Sequence, residues 1–464
     1  MTPHRRSFDG PGLLAALGIA GALFALSWLR HRNHWTGFDL AIFDQGAWQI
    51  SQGRTHISIV ERHVMADHFS PVLYLFGALY RVAATPVWLF GAQALALGAT
   101  VLPMRGIARH LGLPESRATA LLALSGPLLA AGLFDFHPAT LAVPFLAAAV
   151  LCGLQDRPVA AALAGVAAAA CRADLALVLV AAAVVARPRA RASLLGVGAG
   201  AALVSAVLPG RFGDTNGWSP HFGHLGSGPV DAVLHPWEPL GHLLSPSSLS
   251  ILLLWVVAAG AAVVLRPRWM VAVVLAGLPV LLSRWEGTEL PWYHYGAPVA
   301  VLAMAGTMAA LSTTDGSSNR WVGRVRALWW GGPLLVLLVA SPLSPAAPDV
   351  NRIWNVALGD DGRDVDGAVA LVGDAEAVTA DQRVLPHLSQ RERAYLFPIP
   401  FGDAPDFFAE GSQPDLDGYG PDAVDVVVAG FLPQDLVASG ELEVVAELDG
   451  LVVLRRVGAP GRSP

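Results

Sequence analysis

The sequence predicts an α-helical polytopic membrane protein with a small extracytoplasmic α/β domain at its C-terminal end, and three observations carry that prediction. The 464 residues are 54% hydrophobic and 14% charged, with a mean hydropathy of +0.51, far to the apolar side of soluble globular chains. The apolar residues gather into about eleven runs of membrane-spanning length or slightly less. Charge divides sharply: residues 343–464 hold 21 acidic and 8 basic groups, net −13, while the remainder is net +7, together the −6 of the whole chain. An acidic domain, 343–464, is thereby joined to a basic-edged membrane domain, 1–342.

The first run, 11–29, follows His4, Arg5 and Arg6. A secretory signal cleaved near Ala25-Leu26-Ser27 is the competing reading, but the run is long for the apolar part of such a signal. A polar segment within 30–71 comes next, then a short apolar helix, 72–82, re-entrant or interfacial. Spans follow near 86–104, 117–134, 138–154, 158–171, 174–187, 192–209, 248–265, 270–283, 296–311 and 327–342. Every basic residue is Arg, and arginines fall on alternate loops as the positive-inside rule requires. With the N-terminus inside, Arg105, Arg109, Arg157, Arg187, Arg189 and Arg191 are cytoplasmic. An odd number of spans then puts the acidic domain outside the membrane, with the loops 38–70, 210–247 and 284–295. The loop 210–247, with histidines among Gly and Pro, reads as a passive connector or a mobile lid.

Some functions are excluded here. The arginines are scattered over short loops and form no patch, so no nucleic-acid role follows. Cys152 and Cys171 sit in apolar runs and imply neither a disulfide nor a thiolate metal site. A Pro-rich linker, SPLSPAAP, precedes the C-terminal domain. Beyond it AVALVG, AVTAD, AYLFPI, AVDVVVAG and the pair LEVVAEL and LVVLRRV read as short strands, with a hairpin turn at Asp449-Gly450. No G-x-G-x-x-G or P-loop supports nucleotide binding.

The stretch from Phe38 to Pro71 concentrates Asp39, Asp44, Glu61, His63, Asp67 and His68 in a chain otherwise poor in charge. Read as a helix, Leu40, Phe43, Ala47 and Ile50 share one stripe, with Asp39, Gln45 and Gln49 pointing elsewhere. This is the pattern of an amphipathic helix on the membrane surface, followed by a His-rich loop that returns to the bilayer at Pro71. Asp39 and Asp44 lie about 140° apart around that helix, so it cannot aim both at one atom and their roles differ. A solvated interfacial helix whose acids answer the helix dipole is the alternative.

Further polar groups recur at the outer ends of the spans: Asp135-Phe136-His137-Pro138 at one turn, Arg172 and Asp174 at the next, and Trp292-Tyr293-His294-Tyr295 later. Each has a plain structural reading. Arg172 and Asp174 can pair and cap a helical hairpin, Trp292 to Tyr295 can be an aromatic belt, and His137 can be a helix-start residue. Together they would instead line a cavity at the outer leaflet suited to a lipid phosphate leaving group. Arg grips phosphate, a carboxylate takes a proton from an attacking hydroxyl, and aromatic rings stack on a sugar. Asp67, His68 and His137 could also hold a divalent cation if they converge in space.

The segments FDLAIFDQGAWQISQGR, DHFSPVLYLFGALY, FDFHP and VLPHLSQRERAYLFP resemble a domain-of-unknown-function family of bacterial multipass membrane proteins with an FDxxxFDQ signature. That family is similar to the GT-C glycosyltransferases, multispan enzymes that take sugars from polyprenyl-phosphate carriers outside the cytoplasmic membrane. The resemblance implies a catalytic base in the first external loop, matched here by Asp39, with Asp44 as second candidate. The adjacent acids usual in GT-C enzymes are split in this sequence. It also implies a polyprenyl-phosphate-linked sugar as donor and an envelope glycan or lipid as acceptor; on that reading Asp44 and Asp67 are expected to order the acceptor or a cation, and Arg172 and His137 to hold the phosphate. A membrane transporter or lipid flippase, and a non-catalytic envelope-assembly protein, are the competing functions. A transporter would commonly show polar groups near the midplane and inverted repeats, whereas here the charges gather at one face.

Overall fold

The computed structural model describes residues 9–66, 69–212, 219–313, 329–402 and 421–458. Helix α1 (Gly10–Arg32) is long enough at about 1.5 Å per residue to cross a bilayer. Asp9 caps it, accepting from the amide of Gly12 at 2.9 Å and pairing with Arg105 at 2.7 Å. Helices α4 (Val87–Ala99) and α5 (Val101–His110), which follow the short α2 (Phe38–Ser51) and α3 (Leu73–Tyr80), continue as one span. A Cβ at Gly98 would collide with the backbone of Ala16, so only glycine allows α1 and α4 to approach so closely.

The bundle continues through α6 (Glu115–Ala123), α7 (Gly126–Leu133), α8 (Pro138–Leu154), α9 (Pro158–Cys171), α10 (Ala176–Val185) and α11 (Pro188–Arg211). The run expected as a single span near 117–134 is broken, α6 and α7 meeting at 53°. Ser125 accepts from the amide of Leu128 and Pro127 follows, so a helix start sits inside the run. The short α12 (Ser219–Phe222), α13 (Pro229–Leu234) and α14 (Trp237–Leu243) form the connector to α15 (Pro246–Ala258), α16 (Pro267–Leu281), α17 (Glu286–Glu289) and α18 (Ala297–Thr313). Among the described residues four helices are long and apolar enough to span, or six if each bent pair is one span, with four more of 10–17 residues. The expected apolar runs are helical, but several are shorter than a full crossing.

The C-terminal domain is a five-stranded mixed sheet. Strands β3 (Val378–Ala380), β4 (Ala394–Leu396), β5 (Val426–Ala429), β6 (Leu442–Leu448) and β7 (Leu451–Arg456) lie in the order β4-β3-β5-β7-β6, with β3 parallel to β4 and β5. Asp449-Gly450 turns the β6–β7 hairpin, Gly450 adopting φ +67°. The AVALVG run is not a strand: Val365–Ala370 is helical, capped by Asp364, whose side chain accepts from the amide of Gly367 at 2.9 Å. A short apolar run has no periodicity that separates the two states, and the cap decides.

The first loop also departs from expectation. Helix α2 is followed by the small hairpin β1 (His56–Ile57) and β2 (Arg62–His63). Rather than lying on the membrane with a wet polar face, α2 is wedged between the bundle and the C-terminal domain, and Asp44, Gln45 and Gln49 are buried. Gln45 Nε2 donates to Arg391 O at 3.2 Å and Gln49 Nε2 to Glu392 O at 3.0 Å. The polar side of the helix is therefore used on protein.

Candidate active site

Asp39 occupies the first turn of α2 and is half-buried. What fixes that turn is Asp135, in the corner between α7 and α8. Its carboxylate accepts from the amides of Gly37 at 3.0 Å and Leu40 at 3.4 Å, satisfying donors that a helix start leaves open. Asp135 is itself paired with Arg30, from the last turn of α1, and both side chains are nearly inaccessible. Arg30 also donates from Nε to Val350 O at 3.3 Å and lies over the Phe134 ring at 5.8 Å. One buried ion pair thus locks α1, the start of α2 and the α7–α8 corner together.

Around this corner the aromatic and imidazole groups converge. Tyr293 meets Phe134 edge to face at 4.7 Å, and His137 stacks on His294 with centroids 3.6 Å apart. Burial, then the nearby carboxylates of Asp39 and Asp135, push the Tyr293 phenol above its usual range. Gln93 clamps the corner: its Oε1 accepts from the His137 amide at 3.1 Å and from Thr140 Oγ1 at 2.8 Å, while its Nε2 donates to Phe134 O at 3.2 Å. Tyr295 follows His294 at 4.1 Å, and Trp292, half-buried, is on the same segment. Of the residues named from sequence, Asp39, His137, Tyr293 and His294 therefore come together. Such a site offers a carboxylate for proton removal, imidazoles for an anion and rings for a sugar face.

Other named residues do not join it. Asp44 is only 1% exposed and is a hub at the joint with the C-terminal domain, accepting from Tyr80 Oη at 2.5 Å, Ser389 Oγ at 2.5 Å and Gln390 Nε2 at 3.1 Å. Burial raises its pKa to about 6, against the lowering effect of the three donors. A carboxylate so enclosed serves as an anchor at this joint, apart from the corner that holds Asp39. Arg172 and Asp174 form the mutual pair of the plainer reading, at 2.7 Å. They cap the turn on which the segment after the first-loop hairpin packs, with Ala173 N donating to Phe69 O at 3.1 Å. Asp67 and His68 lie outside the described residues. Among the described residues no group of three or more His, Cys, Asp or Glu side chains is arranged to hold a metal ion.

Arg30, Gln93 and Phe134 were not singled out from sequence. Arg30 carried a signal, since a charge in the last turn of a span tends to be functional or paired. Gln93 is a lone amide in an apolar run and carried a weaker one.

The helical bundle with its first-loop corner and appended sheet defines a polytopic membrane protein. Residues 30–410 match the family described as "Predicted membrane protein (DUF2079)", and the chain belongs to that family. No curated protein matches the sequence. Among solved structures, ArnT from Cupriavidus metallidurans in the apo state is similar, with a TM-score of 0.51, 15% identity and coverage of 96% of this chain and 98% of that one. The likeness is one of fold.

Proposed function

We propose that the protein is an integral-membrane glycosyltransferase that moves a sugar from a polyprenyl-phosphate donor to a cell-envelope acceptor on the extracytoplasmic face. Asp39 is the general base. It takes the proton of the acceptor hydroxyl as that oxygen attacks the anomeric carbon, the bond to the carrier phosphate breaks, and polyprenyl phosphate leaves with inversion. His137 holds the phosphate. Trp292, Tyr293 and His294 face the sugar and the neck of the lipid, and Asp67 and His68 order the acceptor or a divalent cation. The N-terminus is inside and the acidic domain outside.

The observation that carries this reading is the placement of Asp39. It stands on a helix start fixed by the Asp135–Arg30 pair, and its charge reaches Tyr293, beside the Phe134, His137 and His294 cluster. A general base must be held near the reacting hydroxyl, and a rigid element does this better than a free loop. The test is the envelope glycan and glycolipid composition of a deletion strain complemented with the intact protein or with Asp39→Asn at equal membrane abundance. Glycan restored only by the intact protein, with the lipid-linked donor accumulating otherwise, is the expected outcome. Full restoration by Asp39→Asn sinks the assignment.

A further inference from the structure

Helices α10, α11 and α16 meet around an open cleft of about 390 Å³ lined by Ala183, Val184, Arg191, Leu195 and Arg268. Its place in the bundle is fixed by α11. Phe212, one residue beyond the end of that helix, stacks on His63 of the first loop at 4.4 Å. Arg191 lies in the opposite end of α11, roughly 30 Å away at 1.5 Å per residue, which is one hydrocarbon thickness. The cleft and the first loop therefore stand at opposite faces of the bundle.

Both guanidinium groups are moored to the C-terminal carbonyls of α10. Arg191 Nη2 and Arg268 Nη2 each donate to Ala186 O at 3.1 Å, and Arg268 Nε donates to Val184 O at 2.5 Å. Sharing an acceptor, the two cations stand side by side, and among the described residues neither pairs with a carboxylate. Asp156, at the same end, is taken up by the amides of Arg189 and Ala190 at 3.0 and 3.1 Å. Arg191 Nε is buried with no hydrogen-bond partner. Two like charges held in register without a counter-ion form a receptor for an anion, and guanidinium suits phosphate. Leu195, 43% exposed, continues the cleft with an apolar wall, which a free phosphate would leave uncovered and an acyl chain would cover.

We propose that Arg191 and Arg268 bind the phosphate of an anionic membrane phospholipid, its acyl chain lying along Val184 and Leu195, at the bilayer face opposite Asp39. Basic pockets between spans are suited to such headgroups. The site is independent of the transferase reading and survives its failure.

The experiment is native mass spectrometry of the full-length protein in detergent, titrated separately with phosphatidylglycerol, phosphatidylcholine and inorganic phosphate. Phosphatidylglycerol adducts should persist and fall at least about tenfold in the double variant Arg191→Gln, Arg268→Gln, while Arg189→Gln, an exposed arginine in the same first turn of α11, leaves them unchanged. Leu195→Glu, which sets a carboxylate at the cleft without removing either arginine, should lower them likewise and covers a double variant that does not fold. Equal retention of phosphatidylcholine, undiminished phosphatidylglycerol in these variants, or inorganic phosphate bound as tightly as the lipid overturns the proposal.

Discussion

Asp39 and Asp44 stand on the same helix within one signature, yet the structure gives them opposite surroundings. Asp39 sits half-buried in a helix turn whose start is capped by Asp135. Asp44 is sealed between α2, Tyr80 and the C-terminal residues Ser389 and Gln390. The difference teaches that a repeated acid in a motif need not mean a pair acting together. One stands at the outer corner of the bundle, and the other ties the same helix to the C-terminal domain.

The sharpest way to break this comparison is to neutralise each acid in turn. Asp39→Asn keeps the size of the side chain and removes only the base, so transfer activity should fall by about 10²–10⁴-fold with the thermal midpoint unchanged. Asp44→Ala should do the reverse. Three donors lose their acceptor inside the joint, and stability should drop by about 3–5 kcal/mol, measured by thermal unfolding of the purified full-length protein. An Asp44→Ala protein that unfolds like the parent would show that the joint does not depend on this carboxylate.

The same contrast has a pH signature of roughly half that size. The carboxyl of Asp44 is raised from 3.8 to about 6 in the folded protein. Between those values the folded state binds the proton that the unfolded state has lost, so stability falls as pH rises through that window and levels off above about 6. The difference amounts to about 2–3 kcal/mol. Asp44→Asn has no charge to desolvate and should flatten this part of the profile. It should also remain close to the parent in stability near neutral pH, because Ser389 Oγ can turn to Pro386 O, already 3.3 Å away. A parent profile with the opposite slope between pH 4 and 6 would mean that Asp44 is charged and favourably paired in the fold.

Which parts of this were legible in the sequence follows from the range of each interaction. Helix α9 begins and ends where the apolar run 158–171 does, because Pro158 and Arg172 mark its ends within a few residues. The helix break at Ser125 was written locally as Ser-Gly-Pro, inside a run whose apolar length concealed it. The convergence of His137 with His294 was legible only as a shared membrane face, through the parity of spans and loops. The burial of Asp44 was not legible at all. Its partners Ser389 and Gln390 are more than 340 residues away, and no local pattern on an apparently amphipathic helix tells a partner protein surface from a membrane one. The same holds for Asp135: a turn residue by sequence, it becomes the cap of α2 only in three dimensions.

The smallest effect should come from the aromatic wall. Tyr293→Phe preserves the edge-to-face contact with Phe134 at 4.7 Å and removes only the hydroxyl. If the ring serves to stack on the sugar, packing is retained and transfer should change by less than about tenfold, chiefly in KM, since a lost neutral hydrogen bond is worth about 0.5–1.5 kcal/mol. Tyr293→Ala deletes the ring and should weaken donor binding by a further about 0.5–1.5 kcal/mol beyond the area lost. The order of the two variants matters more than either value. A phenylalanine as damaging as alanine would move the role from the ring to the phenol. That group would then be the proton-handling partner of Asp39 across the corner, and the division of labour along α2 would extend to a second acid–base group at the same site.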